Sequence, residues 1–301
     1  MHTSKWSGLI RLTRPANLPT AAADILAGIA LAGGYPFHEV WGVSFLISAQ
    51  PIFTVCFASV LLYAGGVVLN DVFDARLDAL ERPERPIPSG LVSKRLAALF
   101  GVLLLLAGIG ATFTLNAYSM GISALLGLSI LVYNAVAKRF AFWGPLVMGI
   151  CRALNLWLGF SVAAAYLPLQ YLWIPLLYIL AVTAVSREEV RGATATPGWL
   201  AVISYTLVII GIGGVTYWET GRLFWPAAFL LLLGVMIFRP LGDAMQIKTP
   251  QAVKKAVKAG VMGVVVMDAA WAAGYGPWWL PLLVLLLLPV SLFLARKFSV
   301  T

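Results

Sequence analysis

Ten apolar segments, each long enough to cross a lipid bilayer, take up most of this chain of 301 residues. Their hydrophobic residues run continuously and do not alternate with polar ones, which is typical of membrane helices and not of barrel strands. Hydrophobic residues make up 61% of the chain, and no polar stretch is long enough for a soluble domain. We therefore predict an all-α, polytopic membrane bundle of nine or ten transmembrane helices, built as a single domain from residues 1–301. The predicted spans are 18–36, 46–70, 95–115, 117–137, 145–166, 168–186, 198–218, 223–241, 252–274 and 277–295.

The basic residues orient this bundle. The chain has 21 Lys and Arg against 12 Asp and Glu, which gives a net charge of +9. With ten spans and a cytosolic N-terminus, these residues fall on the cytosolic side, except that Arg222 lies outside and Arg152 lies within a span. Three polar and substantial connections, at 71–94, 187–197 and 243–251, are expected on this side. We expect an integral protein of a bacterial inner membrane, with both termini and the active-site loops in the cytoplasm. The net charge then reflects topology, and we expect no nucleic-acid partner.

A row of carboxylates follows the second span, in the stretch Asn70–Asp78. If the helix continues through this stretch, Asn70, Asp74 and Asp78 share one face at spacings of four residues. Carboxylates this close repel one another, so we expect a positive charge among them, and Mg²⁺ bridging to substrate phosphate oxygens suits such ligands. The predicted metal ligands are Asn70, Asp71, Asp74 and Asp78. The alternative is a solvated helix end at the membrane surface.

Two arginine features lie close to this row or within a span. Arg82 and Arg85 belong to a proline-rich loop, and arginine forks recognise phosphate oxygens, although contact with lipid headgroups is the alternative. Arg152 lies inside the fifth predicted span with Asn155 one turn further on. A charged residue within a membrane usually faces a cavity, so we expect both side chains near a substrate; snorkelling to the interface is the alternative.

These motifs resemble those of the UbiA superfamily of intramembrane prenyltransferases. The family signature N-D-x-x-D-x-x-x-D stands at Asn70–Asp78, its R-P-x-P-S-G loop at Arg85–Gly90, and an R-P-x-N start at Arg14–Asn17. The resemblance implies helices around a central cavity, a prenyl diphosphate donor, Mg²⁺, and a lipophilic acceptor within the bilayer. Trp157 is a candidate for stabilising the allylic cation, with ordinary packing as the alternative. The resemblance implies catalytic or metal roles for Asn70, Asp74 and Asp78, and diphosphate contacts from Asn17, Lys138 and Arg139.

The chain departs from this family at its second acidic motif. The stretch 186–196 keeps the pair Arg187-Glu188 but lacks the aspartates, and Gly192 stands at the first of them. Arg187 and Arg191, four residues apart, can contact the diphosphate directly in place of a second metal, so Arg187, Glu188 and Arg191 are candidate substrate contacts.

Two functions follow from these observations. The first is transfer of a prenyl group to an aromatic or lipid-like acceptor, which the intact first motif favours. The second is a non-catalytic relative that binds, or helps to export, a secondary-metabolite precursor, which the altered second motif favours. That altered motif is similar to the one in the EboC-like subgroup of the family.

Overall fold

The computed structural model describes residues 4–32, 45–163, 171–188 and 195–298. These ranges contain helices and no β-strand, which confirms the predicted all-α class. The α-helices are α1 Lys5–Leu12, α2 Leu18–Leu31, α3 Phe45–Glu81, α4 Lys94–Phe113, α5 Ala117–Ala135, α6 Trp143–Phe160, α7 Trp173–Ser186, α8 Ala195–Thr220, α9 Phe224–Ile247, α10 Pro250–Tyr275 and α11 Leu280–Lys297.

Eight of these helices, α3 to α6 and α8 to α11, are long and apolar enough to cross a membrane. The chain is therefore an integral membrane protein. Helices α2 and α7 have 14 residues each, or about 21 Å, which is less than the thickness of a bilayer core. The outer ends predicted for their spans, 33–36 and 168–170, lie outside the described residues.

Helix α3 continues without a break from its apolar part through the acidic row to Glu81, beyond the end of the predicted span at residue 70. Its 37 residues span about 55 Å, so its last turns extend beyond a hydrocarbon core of about 30 Å. A small apolar cluster holds this extension, because Val68 and Val72 of α3 pack with Leu12 of α1 and Val92 of the following loop. The acidic row is therefore fixed on a rigid helix.

The connection between α9 and α10 is shorter than the sequence suggested. A polar connection was predicted at 243–251, but α9 runs to Ile247 and α10 begins at Pro250. Lys248 adopts a left-handed conformation (φ 56°) that ends α9, and the hydroxyl of Thr249 caps α10 by accepting from Ala252 N at 3.3 Å. The prediction of a substantial loop here was wrong, because its polar residues lie on the exposed side of a helix that continues.

Helices α2 and α6 cross at unusually close range, and two glycines allow it. A Cβ on Gly28 would overlap the backbone oxygen of Leu156, and a Cβ on Gly159 would overlap the backbone oxygen of Ile25. This contact lies between the second half of α2 and the last turns of α6. Helix α10, the most buried of the eight candidate spans, packs against α2 as well.

Candidate functional site

A cavity of about 310 Å³ lies among α2, α3, α5, α6, α7 and α10. Its walls are mostly apolar, with Leu126, Ile130, Met148 and Ile179 among them. Polar side chains line it in two groups. We call the first the motif end, formed by Arg14, Asn70 and Asn134, and the second the inner polar group, formed by Thr20, Ser59, Arg152 and Asn155.

The two polar groups lie at different depths along α3. Ser59 and Asn70 are separated by eleven residues of the same helix, which corresponds to about 16 Å. Tyr63, Gly66 and Val67 line the cavity between them. The cavity therefore has polar groups at both levels and a largely apolar wall between them.

Asn70 and Asp74, the first two of the three residues predicted to share one face, lie beside a lysine and an amide side chain. Lys138 Nζ lies 2.6 Å from Asp74 Oδ1, and these side chains are 14% and 28% exposed. Asn70 Nδ2 donates to Asn134 Oδ1 at 2.8 Å, and Asn134 Nδ2 donates to Gly66 O at 3.0 Å. With its amide turned over, Asn70 places its oxygen 3.2 Å from Lys138 Nζ. Asn70, Asp74 and Lys138 therefore meet at one place.

The other two carboxylates of the row point into a separate, buried arginine cluster. Arg85 Nη1 donates to both oxygens of Asp78, at 2.8 and 2.9 Å, and lies 3.5 Å from Asp71. Arg14 Nη2 donates to Asp71 Oδ1 at 2.7 Å. Asp71, Asp78 and Arg85 are 6%, 5% and 9% exposed, so this cluster is enclosed by protein. The positive charge that the row was expected to attract is supplied in this structure by side chains of the chain itself.

Arg14 reaches Asp71 from a strained backbone. Its φ of 47° and ψ of 67° are left-handed values, which a residue other than glycine adopts at a cost of about 1–2 kcal/mol. The proline that follows it disfavours the right-handed helical conformation at this position. This left-handed conformation turns the chain from α1 into α2. It leaves the Arg14 side chain at the motif end of the cavity.

The oxygen atoms of Asn70 and Asp74 fit a magnesium ion that is shared with a substrate. Mg²⁺ usually takes one or two protein oxygens and completes its shell with phosphate and water oxygens. In the described ranges no three His, Cys, Asp or Glu side chains come together as a metal-binding group. Asp71 and Asp78 would have to leave their arginine partners to bind a metal, so their predicted metal role stays a prediction.

Several predicted substrate contacts lie away from the cavity. Arg82 and Arg139 are exposed, and neither lines it. Asn17 ends a short 3₁₀ turn, and its carbonyl accepts a hydrogen bond from Thr20 Oγ1 at 2.8 Å. Arg85 is occupied by the two carboxylates. Lys138 does not line the cavity either, but it contacts Asp74 and lies next to Asn70, which does line it. Among the predicted diphosphate contacts, Lys138 therefore has the position best suited to the role.

The altered second motif is only partly described. Arg187 donates through Nη2 to the backbone oxygen of Phe140 at 2.9 Å, in the connection that also carries Lys138. Glu188 has a backbone N–H that donates to Val185 O at 3.0 Å. Arg191 lies outside the described residues. Direct contact of Arg187, Glu188 and Arg191 with a diphosphate stays a prediction, and Arg187 links two connections on this side of the bundle.

Arg152 faces the cavity, as expected, and belongs to a buried network. Its Nε lies 2.7 Å from Asp24 Oδ2, and its Nη2 donates to the backbone oxygen of Thr20 at 2.7 Å. Asn155 Nδ2 donates to Asp24 Oδ2 at 2.8 Å, and Asn155 Oδ1 accepts from Ser59 Oγ at 2.6 Å. The network ties α2, α3 and α6 together around the inner polar group.

The aromatic side chains at the cavity are Tyr63 and Tyr133, which sequence reasoning did not single out for this role. Trp157 does not line the cavity, and its Nε1 donates to Tyr118 OH at 2.8 Å, as expected of a packing residue. A signal for Tyr63 was present in the sequence, because it precedes Asn70 by seven residues and so lies on the same face of α3.

Comparison with known proteins identifies the family of this chain. The model of the UbiA prenyltransferase family matches residues 21–241. A digeranylgeranylglyceryl phosphate synthase of Metallosphaera sedula is 33% identical over 198 residues, which cover 65% of this chain and 67% of the relative.

Solved structures show the same fold. A structure of a digeranylgeranylglyceryl phosphate synthase superposes with a TM-score of 0.65 at 19% identity, over 90% of this chain and 98% of the other. A UbiA homologue from Archaeoglobus fulgidus, bound to geranyl diphosphate (GPP) and Mg²⁺, gives a TM-score of 0.60 at 15% identity, over 88% of this chain and all of the other. The chain belongs to the UbiA prenyltransferase family.

Proposed function

We propose that this chain moves a prenyl group from a prenyl diphosphate, bound at the motif end of the cavity, to a lipophilic acceptor inside the bundle. The observation that carries the proposal is the meeting of Asn70, Asp74 and Lys138, beside Arg14, at one end of an apolar cavity. Cationic groups there suit a diphosphate, and apolar walls suit a prenyl chain. Family membership supports the reaction class.

The reaction breaks the bond between C1 of the donor and the diphosphate oxygen. The electron pair of that bond leaves with the diphosphate, the allylic carbon bonds to the acceptor nucleophile, and the acceptor loses a proton. Lys138 and Arg14 lower the barrier by neutralising the leaving charge. Apolar walls keep water from the allylic carbon, and the faces of Tyr63 and Tyr133 can stabilise its positive charge.

Magnesium belongs to this proposal. Asn70 and Asp74 would hold the ion, and when bound it would add positive charge to the leaving diphosphate oxygens. The homologue bound to GPP and Mg²⁺ supports this assignment. Asp71 and Asp78 then act mainly through Arg14 and Arg85, by fixing the end of α3 on which the metal ligands stand.

A binding protein without chemistry is the second candidate. The observation that favours it is that Asp71, Asp74 and Asp78 are all paired with Arg or Lys side chains of the chain itself. Such an acidic row is electrically compensated without any metal. The same cavity would then hold a lipid or a precursor for export.

Turnover separates the two candidates. Purified protein in lipid nanodiscs is incubated with tritiated GPP, with and without Mg²⁺, and with a panel of lipophilic phenols and alcohols. If the protein is an enzyme, we expect Mg²⁺-dependent binding of GPP, release of pyrophosphate, and a labelled product that can be extracted. Binding without pyrophosphate release on every acceptor would favour the second candidate, and absence of binding would contradict a diphosphate site altogether.

We also propose that both termini and the loops around the motif end face the cytoplasm of a bacterial cell, and that residues 1–301 form one domain. Packing of α10 and α11 against α2 supports the single domain. In a variant without Cys56 and Cys151, a cysteine at Ser89 should react with an impermeant maleimide only from the cytoplasmic side. A cysteine at Thr220 should react only from the other side, and labelling of both from one side would overturn the orientation.

A further inference from the structure

The charged residues at or near the inner polar group are two aspartates and one arginine. Asp24 on α2 and Asp268 on α10 are both 0% exposed. Arg152 is the cation paired with Asp24, and its side chain is 10% exposed. The Arg152–Asp24 ion pair has a net charge of zero. Asp268 adds one negative charge when it is ionised and no charge when it is protonated.

Arg152 still has hydrogen-bonding capacity toward the cavity. A guanidinium carries five N–H groups. Its Nε faces Asp24, one N–H of Nη2 is used on Thr20 O, and one N–H of Nη1 reaches Thr20 Oγ1 at 3.3 Å. The second N–H on each of Nη1 and Nη2 has no other partner in the described part of the chain, and Arg152 lines the cavity. The inner polar group therefore offers donors without offering a net positive charge.

Unused N–H donors at a site without net positive charge favour one kind of ligand group over another. An anionic group would gain hydrogen bonds but would lose its hydration next to a site whose net charge is zero or negative, so its binding is disfavoured. A hydroxyl or carbonyl oxygen pays a smaller desolvation cost and accepts the same two donors. The site is therefore matched to an uncharged oxygen.

The position of the group fits the acceptor and not the donor diphosphate. The motif end and the inner polar group are separated by about 16 Å along α3. A donor whose diphosphate is bound at the motif end would place its reacting carbon between them, because that carbon is attached to the diphosphate. A compact acceptor placed next to that carbon can reach Arg152 with its far end. The apolar walls between the two levels would then contact the body of the acceptor as well as the prenyl chain of the donor.

Resting on the proposed function, we propose that Arg152, held by Asp24 and Thr20, binds an uncharged hydroxyl or carbonyl oxygen at the far end of the acceptor. The acceptor class is then a compact molecule with its nucleophile at one end and a neutral oxygen at the other. Acceptors that carry a carboxylate or a phosphate at that far end are excluded by the buried carboxyls.

A matched pair of probes tests the charge selection. 4-Hydroxybenzyl alcohol and 4-hydroxybenzoate share a ring and a phenol, and they differ in whether the far group is neutral or anionic. Binding of each probe to the full-length protein in nanodiscs is measured by calorimetry at pH 7. We expect the alcohol to bind at least about tenfold more tightly, a difference of about 1.4 kcal/mol. Equal affinities, or tighter binding of the benzoate, would overturn the proposal.

Isosteric variants without the two carboxylates should change the net charge of the site from zero or negative to positive. The double substitution Asp24→Asn with Asp268→Asn leaves Arg152 without a carboxylate, so the preference should change to 4-hydroxybenzoate. An unchanged preference for the alcohol would contradict the charge argument. Should the double variant fail to fold, Arg152→Gln provides the second test, because it should weaken binding of the alcohol about tenfold. Unchanged affinity for the alcohol in Arg152→Gln would also overturn the proposal.

Binding of GPP with Mg²⁺ is measured on the same samples. If the unmodified protein does not bind GPP with Mg²⁺, the proposed donor site is contradicted, whichever of the two probes binds. Selection between the probes depends on the inner polar group, so the two failures are distinguishable.

Discussion

Lys138 Nζ lies 2.6 Å from Asp74 Oδ1, and this pair joins the connection after α5 to the C-terminal part of α3. Each partner is also a group that the proposed ligands would need, because a diphosphate competes for the lysine and Mg²⁺ competes for the carboxylate. Binding of the donor with its metal therefore exchanges one set of charge pairs for another. The pair keeps the motif end electrically compensated before the donor arrives.

Replacing Lys138 tests this exchange. Lys138→Gln removes a charge-assisted contact worth about 1.5–3 kcal/mol, so the Kd for GPP should rise about tenfold to hundredfold. The neighbouring Arg139 is exposed and forms no ion pair with Asp74 in the described residues, so Arg139→Gln should leave the Kd within about twofold. Filter binding with tritiated GPP measures both variants. Similar losses in the two would mean that net charge on this surface, and not the position of Lys138, governs binding.

The two halves of the acidic row should respond differently. Asp74→Asn should abolish the Mg²⁺ dependence of GPP binding with little change in melting temperature, since Asp74 is partly exposed and its lysine partner can reach water. Asp78→Asn leaves Arg85 buried beside one carboxylate fewer and should cost about 3 kcal/mol of stability. Magnesium titrations and thermal unfolding in detergent separate the effects. A metal-dependent Kd that is unchanged in Asp74→Asn would remove this residue from the site.

Arg85 and Arg82 provide a matched pair in the loop after α3. Arg85→Gln removes the cation between Asp71 and Asp78, so the melting temperature should fall, whereas the exposed Arg82 can become Gln at little cost. If Arg85 instead contacted the diphosphate directly, its replacement would weaken GPP binding without lowering the melting temperature. Comparing both quantities in the two variants decides between these roles.

The sequence predicted the architecture well, because apolar length is a strong signal for membrane helices. Helix α3 runs through the acidic row, which was the condition for the predicted shared face, and α4 begins within one residue of its predicted start. The connection at 243–251 was mispredicted since polar residues on the exposed face of a continuing helix look the same as a loop in the sequence.

The site was harder to predict because partners across the bundle are not visible in the sequence. Lys138 was identified as a contact, but its pairing with Asp74 depends on how α5 packs against α3. Arg85 was assigned to substrate because arginine suits phosphate, whereas in the structure it turns toward Asp71 and Asp78. Spacing places residues on one face of a helix, and only packing decides which face meets the cavity.

The crossing of α2 and α6 gives a final prediction. A methyl group at Gly159 would overlap the backbone of Ile25, so Gly159→Ala should push the helices apart and destabilise the protein by about 1–3 kcal/mol. The separation should also weaken the Asp24–Arg152 pair, because Asp24 lies on α2 and Arg152 lies on α6.

Gly110 is the control for that substitution, because it lies within α4, is exposed, and has no atom within 4 Å of an added Cβ. Gly110→Ala should keep or slightly raise the melting temperature, since alanine favours the helix by up to about 1 kcal/mol. Thermal unfolding in detergent compares the two variants with the unmodified chain. If Gly159→Ala were as stable as Gly110→Ala, the close contact of α2 with α6 would not be needed to hold the inner polar group together.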